Sequence, residues 1–282
     1  MRYSAKAYAK INLYLDVVGK RPDGYHDLDT IMQNISLYDE ISLELTDGEI
    51  SVCCDNETIC DSDNIAFAAC RTFFDYTKIK KGARIHIKKH IPLAAGVGGG
   101  SSDAAAVLSL LNIATDAQLS EDELIKLATP LGADVPFFII GGTARAQGIG
   151  ERLEKIVAPK MHYVLLKNGI KQSTGQMYAK LDSTDYEVSG DIEGLIENLS
   201  DGDIIKSSSN LFNAFIYCWD FESLCKPFST FVPLTVFLSG SGPTVCALFT
   251  DIDKAQECAD ALKSDDYDAF CVSSVDYGME IV

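Results

Sequence analysis

With 282 residues, 47% hydrophobic and 23% charged, the chain has material for a real core in one large domain or two ordinary ones. Against 41 aspartates and glutamates stand only 24 lysines and arginines, a net charge of −17. That balance excludes nucleic acid and anionic membrane as partners and requires any phosphate to be held locally, by backbone N–H groups and one or two placed cations. No apolar run reaches the ~18–20 residues of a membrane span.

In the first segment, Lys6 and Lys10 interrupt any signal-peptide core, so a cytoplasmic location is expected. The nine cysteines agree with a reducing compartment: none form C-x-x-C, and Cys246 and Cys271 sit inside apolar runs. Ala7–Val18 reads as a strand. Lys10 and Asn12, two apart, share one of its faces; Lys10 is either a snorkelling edge residue or a placed cation. Pro22-Asp23-Gly24 makes a turn, followed by Tyr25 and His26, either a plain hairpin tip or a stacking ring beside a hydrogen-bonding one. Ile35–Leu45 is a second strand. A helix follows over Ile65–Tyr76, with Ser62 and Asp63 as capping candidates. Ala83–Ile91 alternates apolar and polar residues, as a strand with one wet face does.

The strongest local signal runs from Pro92, Leu93, Ala94 and Ala95 through Gly96, Val97, Gly98, Gly99 and Gly100 to Ser101 and Ser102. It follows a strand and opens a helix of alanines and leucines. Glycines let backbone approach a ligand closely, and Ser101, Ser102 and Asp103 are placed to cap the helix. The first-turn N–H groups and the positive dipole end then make an anion cradle without net positive charge. No Gly-Lys-Ser/Thr follows, so this is not a P-loop, and Ser101 stands where a dinucleotide fingerprint needs glycine. Further on, Ser120–Leu131 has capping-box spacing at Ser120 and Glu123 and ends at Gly132. Gly132-Ala133-Asp134-Val135-Pro136 sets one carboxylate among apolar neighbours, as a helix N-cap or as a partly desolvated base. A domain boundary is placed near Pro159, before a fresh strand. Asp182–Ser209 is the least patterned stretch, with one helix over Asp191–Leu199. Gly240, Ser241 and Gly242 form a second loop between two apolar strands. Strands and helices without a βαβ repeat indicate an α+β fold.

The order and spacing of these motifs carry more than each alone. Ala-Lys-Ile-Asn-Leu, then Arg-Pro-Asp-Gly-Tyr-His, then Gly-Val-Gly-Gly-Gly-Ser-Ser-Asp-Ala-Ala, then Gly-Ala-Asp-Val-Pro-Phe resembles the kinase superfamily named for galactokinase, homoserine kinase, mevalonate kinase and phosphomevalonate kinase. Within it the match is to the branch acting on a cytidine-diphosphate-linked methylerythritol, in the non-mevalonate route to isoprenoids. The resemblance implies a two-domain α+β small-molecule kinase fold: residues 1–157 bind ATP and 158–282 form the substrate side. It implies Asp134 as catalytic base and Lys10 as its cationic neighbour. ATP would lie along Pro92–Ser102, with Asn64 and Ile65 on the adenine side. Mg²⁺ would accompany it, on Ser101 or Ser102. Asn12, Tyr25, His26, Thr174, Tyr178, Gly240 and Ser241 would bind the substrate, with Tyr178 closing on the base opposite Tyr25. Monomer or homodimer is expected. Two positions depart from the family pattern: Asp103 stands where Asn is frequent, and Asn210 to Asn213 replaces an acidic Asn-Asp-Phe-Glu. Tyr25 and His26 argue against a homoserine or mevalonate substrate, which carries no base to stack. Retention of both Lys10 and Asp134 argues against a non-catalytic nucleotide sensor.

Overall fold

The computed structural model describes residues 1–55, 64–169, 173–188, 190–265 and 267–282. It opens with a long antiparallel hairpin, β1 (Arg2–Lys20) and β2 (His26–Thr46), longer than the two strands expected. The turn is the Pro-Asp-Gly one: Arg21 N donates to Tyr25 O (2.8 Å) and Gly24 N to Arg21 O (3.1 Å). β3 (Ser51–Cys54) and β4 (Gly82–Lys88) extend the sheet on the far side of β2. β4 shows the expected alternation, with Arg84, His86 and Lys88 exposed, but it stops at Lys88, so Lys89, His90 and Ile91 leave the sheet. β5 (Thr143–Gly148) pairs with the earlier part of β2, and β6 (Arg152–Lys155) pairs with β5.

Helices α1 (Ile65–Thr77), α2 (Gly99–Ala114), α3 (Glu121–Ala128) and α4 (Val135–Ile140) build a core with this sheet. Phe73, Phe137 and Phe138 are fully buried there, each contributing roughly 2–3 kcal/mol by removal from water. α1 is capped by Asn64, whose Oδ1 accepts from Ala66 N (2.9 Å); the candidates Ser62 and Asp63 lie outside the described residues. α3 has the expected capping box, and Pro130 carries its end into a short 3₁₀ turn over Thr129–Leu131.

A second antiparallel sheet has the order β11 (Asp268–Ser273), β7 (His162–Lys167), β10 (Thr244–Phe249), β9 (Thr235–Leu238). It packs with α5 (Thr174–Leu181) and α9 (Ile252–Ser264). α6 (Ile192–Ser200) is capped by Asp191, whose Oδ1 accepts from Gly194 N (2.9 Å). α7 (Ile204–Asn210), whose serines carry little helix propensity, escaped the sequence reading and is capped by Asp203. β8 (Phe212–Asn213) pairs in parallel with β1, α8 (Phe221–Cys225) follows, and β12 (Met279–Ile281) returns to β1. A third apolar cluster joins β1 and β2 to β7 and β10, so the two sheets share packing across the first hairpin. The α+β class is as read. Cys53, Cys70, Cys218, Cys225, Cys246, Cys258 and Cys271 are free thiols, and no described helix is long and apolar enough to cross a membrane.

Candidate active site

A cleft of about 410 Å³ is walled by the glycine loop, the first turn of α2, Lys10, Asp134, α5 and the second loop. Most positions expected to hold ligands meet there: Lys10, Pro92 to Ser101, Ile65, Asp134, Thr174, Tyr178, Gly240 and Ser241.

Lys10 reaches the cleft because β1 is irregular. Its register against β2 shifts between Tyr8 and Ala9 and again between Asn12 and Tyr14. Each shift swaps which face a side chain takes. After the second, Leu15 rather than Tyr14 lines the cleft, while Tyr14 is buried in the third cluster. Lys10 Nζ lies 3.4 Å from Asp134 Oδ2, and its side chain is 5% exposed against 37% for Asp134. Asp134 stands at the N-cap position of α4 yet makes no side-chain cap bond. Its carboxylate faces Lys10 instead, so it is not a side-chain cap of that helix.

Asn12 is buried behind the lysine. Its Oδ1 accepts from Lys10 Nζ (2.8 Å) and from Gly240 N (3.1 Å), and its Nδ2 donates to Thr30 Oγ1 (2.9 Å). Asn12 therefore locks Lys10 to the second loop and does not itself line the cleft. The second loop is further tied by Thr244 Oγ1 donating to Ala95 O (2.6 Å), by Asn213 Nδ2 donating to Leu238 O and Gly240 O (2.9 Å each), and by Trp219 Nε1 donating to Ser241 O (3.1 Å). The Asn213 departure thus supplies the organiser of this loop.

At the head of α2 the capping expectation is corrected. The helix begins at Gly99, with Gly98 as a left-handed N-cap and no side-chain cap bond. Ser101, Ser102 and Asp103 lie inside the first turns. Ser102 is buried and its hydroxyl donates to Tyr8 O (2.7 Å), so only Ser101 of the two faces the cleft. Asp103 is buried too. Its Oδ2 accepts from Lys89 Nζ (2.8 Å), which also donates to Asp39, itself holding the N–H groups of His90 (2.6 Å) and Ile91 (2.8 Å). Burial, only partly opposed by the Lys89 cation, pushes the Asp103 carboxyl well above the usual range, and Asp39 adds to the push. Asp103 is thus half of a buried ion cluster, not a bare charge beside the loop. The N–H groups of Gly98 to Ser101, without intrahelical partners, remain the cleft's anion donors.

At the opposite end the structure departs from the expected ring pair. Tyr25 is exposed at the hairpin tip and does not line the cleft. It is His26 that lies flat on Tyr178, centroids 4.6 Å apart at 14°. Burial, then the charge of Asp134, push the Tyr178 hydroxyl upward. Asn64 is at the α1 cap and outside the cleft lining. Sequence reasoning missed Leu15, Leu28, Lys89, Ile91 and Phe215, all of which line it. Among the described residues no cluster of three or more His, Cys, Asp or Glu is placed to hold a metal.

The glycine loop, the Lys10–Asp134 pair and the second loop share one cleft, and residues 64–142 match the family model "GHMP kinases N terminal domain", which sets the chain among small-molecule kinases of the GHMP class. The likeness to a homoserine kinase from Cytophaga hutchinsonii (TM-score 0.78, 16% identity, 100% of this chain and 97% of that one) extends the shared fold to the full length. A 4-diphosphocytidyl-2-C-methyl-D-erythritol kinase of Clostridium kluyveri is 41% identical over 277 residues, 96% of this chain and 99% of that protein. The crystal structure of a 4-(cytidine 5'-diphospho)-2C-methyl-D-erythritol kinase superposes with a TM-score of 0.82 at 30% identity, over 96% of this chain and 98% of that one. The chain belongs to the 4-diphosphocytidyl-2-C-methyl-D-erythritol kinase family.

Proposed function

We propose that the protein transfers the γ-phosphoryl group of ATP to the 2-hydroxyl of 4-diphosphocytidyl-2-C-methyl-D-erythritol, with residues 1–157 binding ATP and 158–282 forming the substrate side. The observation that carries this reading is the 3.4 Å Lys10–Asp134 pair at the mouth of the glycine cradle. Asp134 accepts the proton of the 2-hydroxyl as that oxygen bonds to the γ-phosphorus and the bond to the β–γ bridging oxygen breaks, releasing ADP. Lys10, held by Asn12, lies 3.4 Å from the Asp134 carboxylate and offsets charge at the attacking oxygen. The N–H groups of Gly98 to Ser101 hold the phosphates. Bound Mg²⁺ would neutralise charge on those phosphates. A magnesium ion takes few protein ligands beside nucleotide oxygens and water, so the Ser101 hydroxyl, which faces the cleft, would hold it there. Ile65 sits where adenine would lie, and Tyr178 with His26 where the cytosine would. The protein is expected to act in the cytoplasm as monomer or homodimer.

The test is ADP release from Mg-ATP and 4-diphosphocytidyl-2-C-methyl-D-erythritol. Wild type should release ADP only with this substrate, and Asp134→Asn should lose about 10²–10⁴-fold in kcat with ATP affinity kept. Turnover of homoserine or mevalonate instead would overturn the substrate, and full activity in Asp134→Asn would overturn the base.

A further inference from the structure

The stacked pair at the base end raises the question of what holds an imidazole flat on a tyrosine. Tyr178 and Asp182 are four residues apart at the end of α5, so one face of the helix carries both. His26 touches each of them. Its ring covers Tyr178, and its Nε2 lies 2.8 Å from Asp182 Oδ1. Lys20, the cross-strand partner of His26, reaches the other oxygen, Asp182 Oδ2, at 2.5 Å. One carboxylate therefore grips both strands of the hairpin end and fastens them to the helix bearing Tyr178.

Nothing in the helix calls for a carboxylate at this position. Asp182 is the C-cap residue of α5, where the helix dipole presents partial negative charge and an anion is unfavourable. Its placement is explained by what it holds. The hydrogen bond from Lys20, with a further one from His26, holds the Asp182 carboxyl below the usual range against the opposing effect of burial. An ionised carboxylate only accepts, so the hydrogen between the two groups is on His26 Nε2. Of the two neutral tautomers, this bond is made by the Nε2–H one. Its Nδ1 has no hydrogen-bond partner among the described residues.

We propose that Asp182 is a positioning residue for base recognition, clamping His26 in one orientation and tautomer behind Tyr178, so that Tyr178, which lines the cleft, meets the cytosine as a preset wall. This rests on the function proposed above. Asp182 touches neither Lys10 nor Asp134, so the clamp should govern binding and leave the chemical step alone.

The experiment compares wild type, Asp182→Ala and Asp182→Asn in steady-state ADP release. The amide oxygen of Asn can still accept from Nε2–H, whereas Ala cannot. Asp182→Ala should raise KM for the cytidyl substrate roughly tenfold, the scale of one lost charge-assisted hydrogen bond, with kcat and the KM for ATP unchanged. Asp182→Asn should recover most of the loss. In parallel, ¹⁵N NMR of the histidine rings, assigned with His26→Gln, should show His26 as the Nε2–H tautomer in wild type and as a mixture in Asp182→Ala. An unmoved KM in Asp182→Ala, a fall in kcat alone, or an Asn variant as impaired as the Ala one would overturn the role. A wild type inactive on this substrate would instead overturn the functional reading, and with it this one.

Discussion

Gly98 is where the fold and the chemistry press hardest on one another. A Cβ added there would meet Phe138 Cζ at 2.6 Å and Lys10 Cγ at 3.0 Å, with backbone at φ +78°. The left-handed conformation alone costs a non-glycine residue about 1–2 kcal/mol. Phe138 is 2% exposed and packs edge-on against Phe137, so its ring cannot retreat. Overpacking of this kind adds about 1–3 kcal/mol. Gly98→Ala should therefore lose about 2–5 kcal/mol, a fall in Tm of roughly 5–10 °C for a chain of this size. Lys10 is the softer neighbour and should be displaced, and misplacement of a catalytic group by up to ~1 Å costs on the order of 10²-fold in kcat. Gly202→Ala is the control. That glycine also has positive φ (+74°) but nothing within 4 Å, so it bears the backbone cost alone and kcat should not change. Thermal melts and ADP release on both variants decide the matter. A folded Gly98→Ala enzyme with wild-type kcat would refute the argument that the head of α2 is wedged against Lys10 and that Lys10 serves the reaction as proposed.

The buried cluster gives a contrast between its two carboxylates. Asp39→Asn weakens an acceptor of three donors and should cost about 3–5 kcal/mol in urea unfolding, whereas Asp103→Asn should be no less stable than wild type at neutral pH. The sign follows from Asp103's raised proton affinity in the fold: its stabilising share is complete below its ordinary value of 3.8 and is lost as pH rises through the folded value. Asp103→Asn should therefore gain on wild type from about pH 4 upward and then level off; a gap that shrinks over that range would contradict the assignment. Asn213→Ala strands two carbonyls and an N–H, for about 2–4 kcal/mol, and should raise KM for the substrate more than it lowers kcat; an unchanged melt would show that the second loop does not depend on it. Mg-ATP affinity by calorimetry should fall less than about threefold between roughly 0.05 and 0.5 M salt, since the cleft's lysines are paired and shielded; a steep decline would mean that free surface cations bind the nucleotide.

The motifs of the site were legible because each combines a backbone requirement with a chemical one. Gly96 to Gly100 announced a loop and a helix start at once, and Asp134 stood alone among apolar neighbours. What escaped depended on geometry that periodicity does not encode. Leu15 was lost because the register shift after Asn12 reverses the faces of β1. Lys89 falls in the alternation with the apolar positions Ile85 and Ile87, and nothing in that pattern shows the buried carboxylates of Asp39 and Asp103 that it meets beyond the end of β4. Phe215 lies in a short 3₁₀ turn (Ala214–Cys218) that has no apolar period of its own. Tyr25 and His26 are adjacent in sequence, but Tyr25 ends the exposed turn whereas His26 begins β2. Of the two, it is His26 that meets α5.

An acidic chain that must hold a triphosphate faces a conflict that the cleft resolves by keeping its cations compensated. Lys10 is paired with Asp134 and bonded to Asn12, and Lys89 is held between Asp39 and Asp103. Neither is a free counter-charge for phosphate. Each instead fixes backbone: Lys10 lies against Gly98, and Asp39, with Lys89, pins the N–H groups of His90 and Ile91 at the entry to the loop. In the proposed function the attraction for phosphate is therefore left to oriented N–H dipoles at the head of α2, which need no reorganisation as charge moves toward the leaving group. A site built from mobile lysines would bind the nucleotide's ground state as strongly as its transition state. Compensated lysines that set a rigid cradle favour the transition state over the ground state, and this explains how a chain of net charge −17 can carry phosphoryl-transfer chemistry.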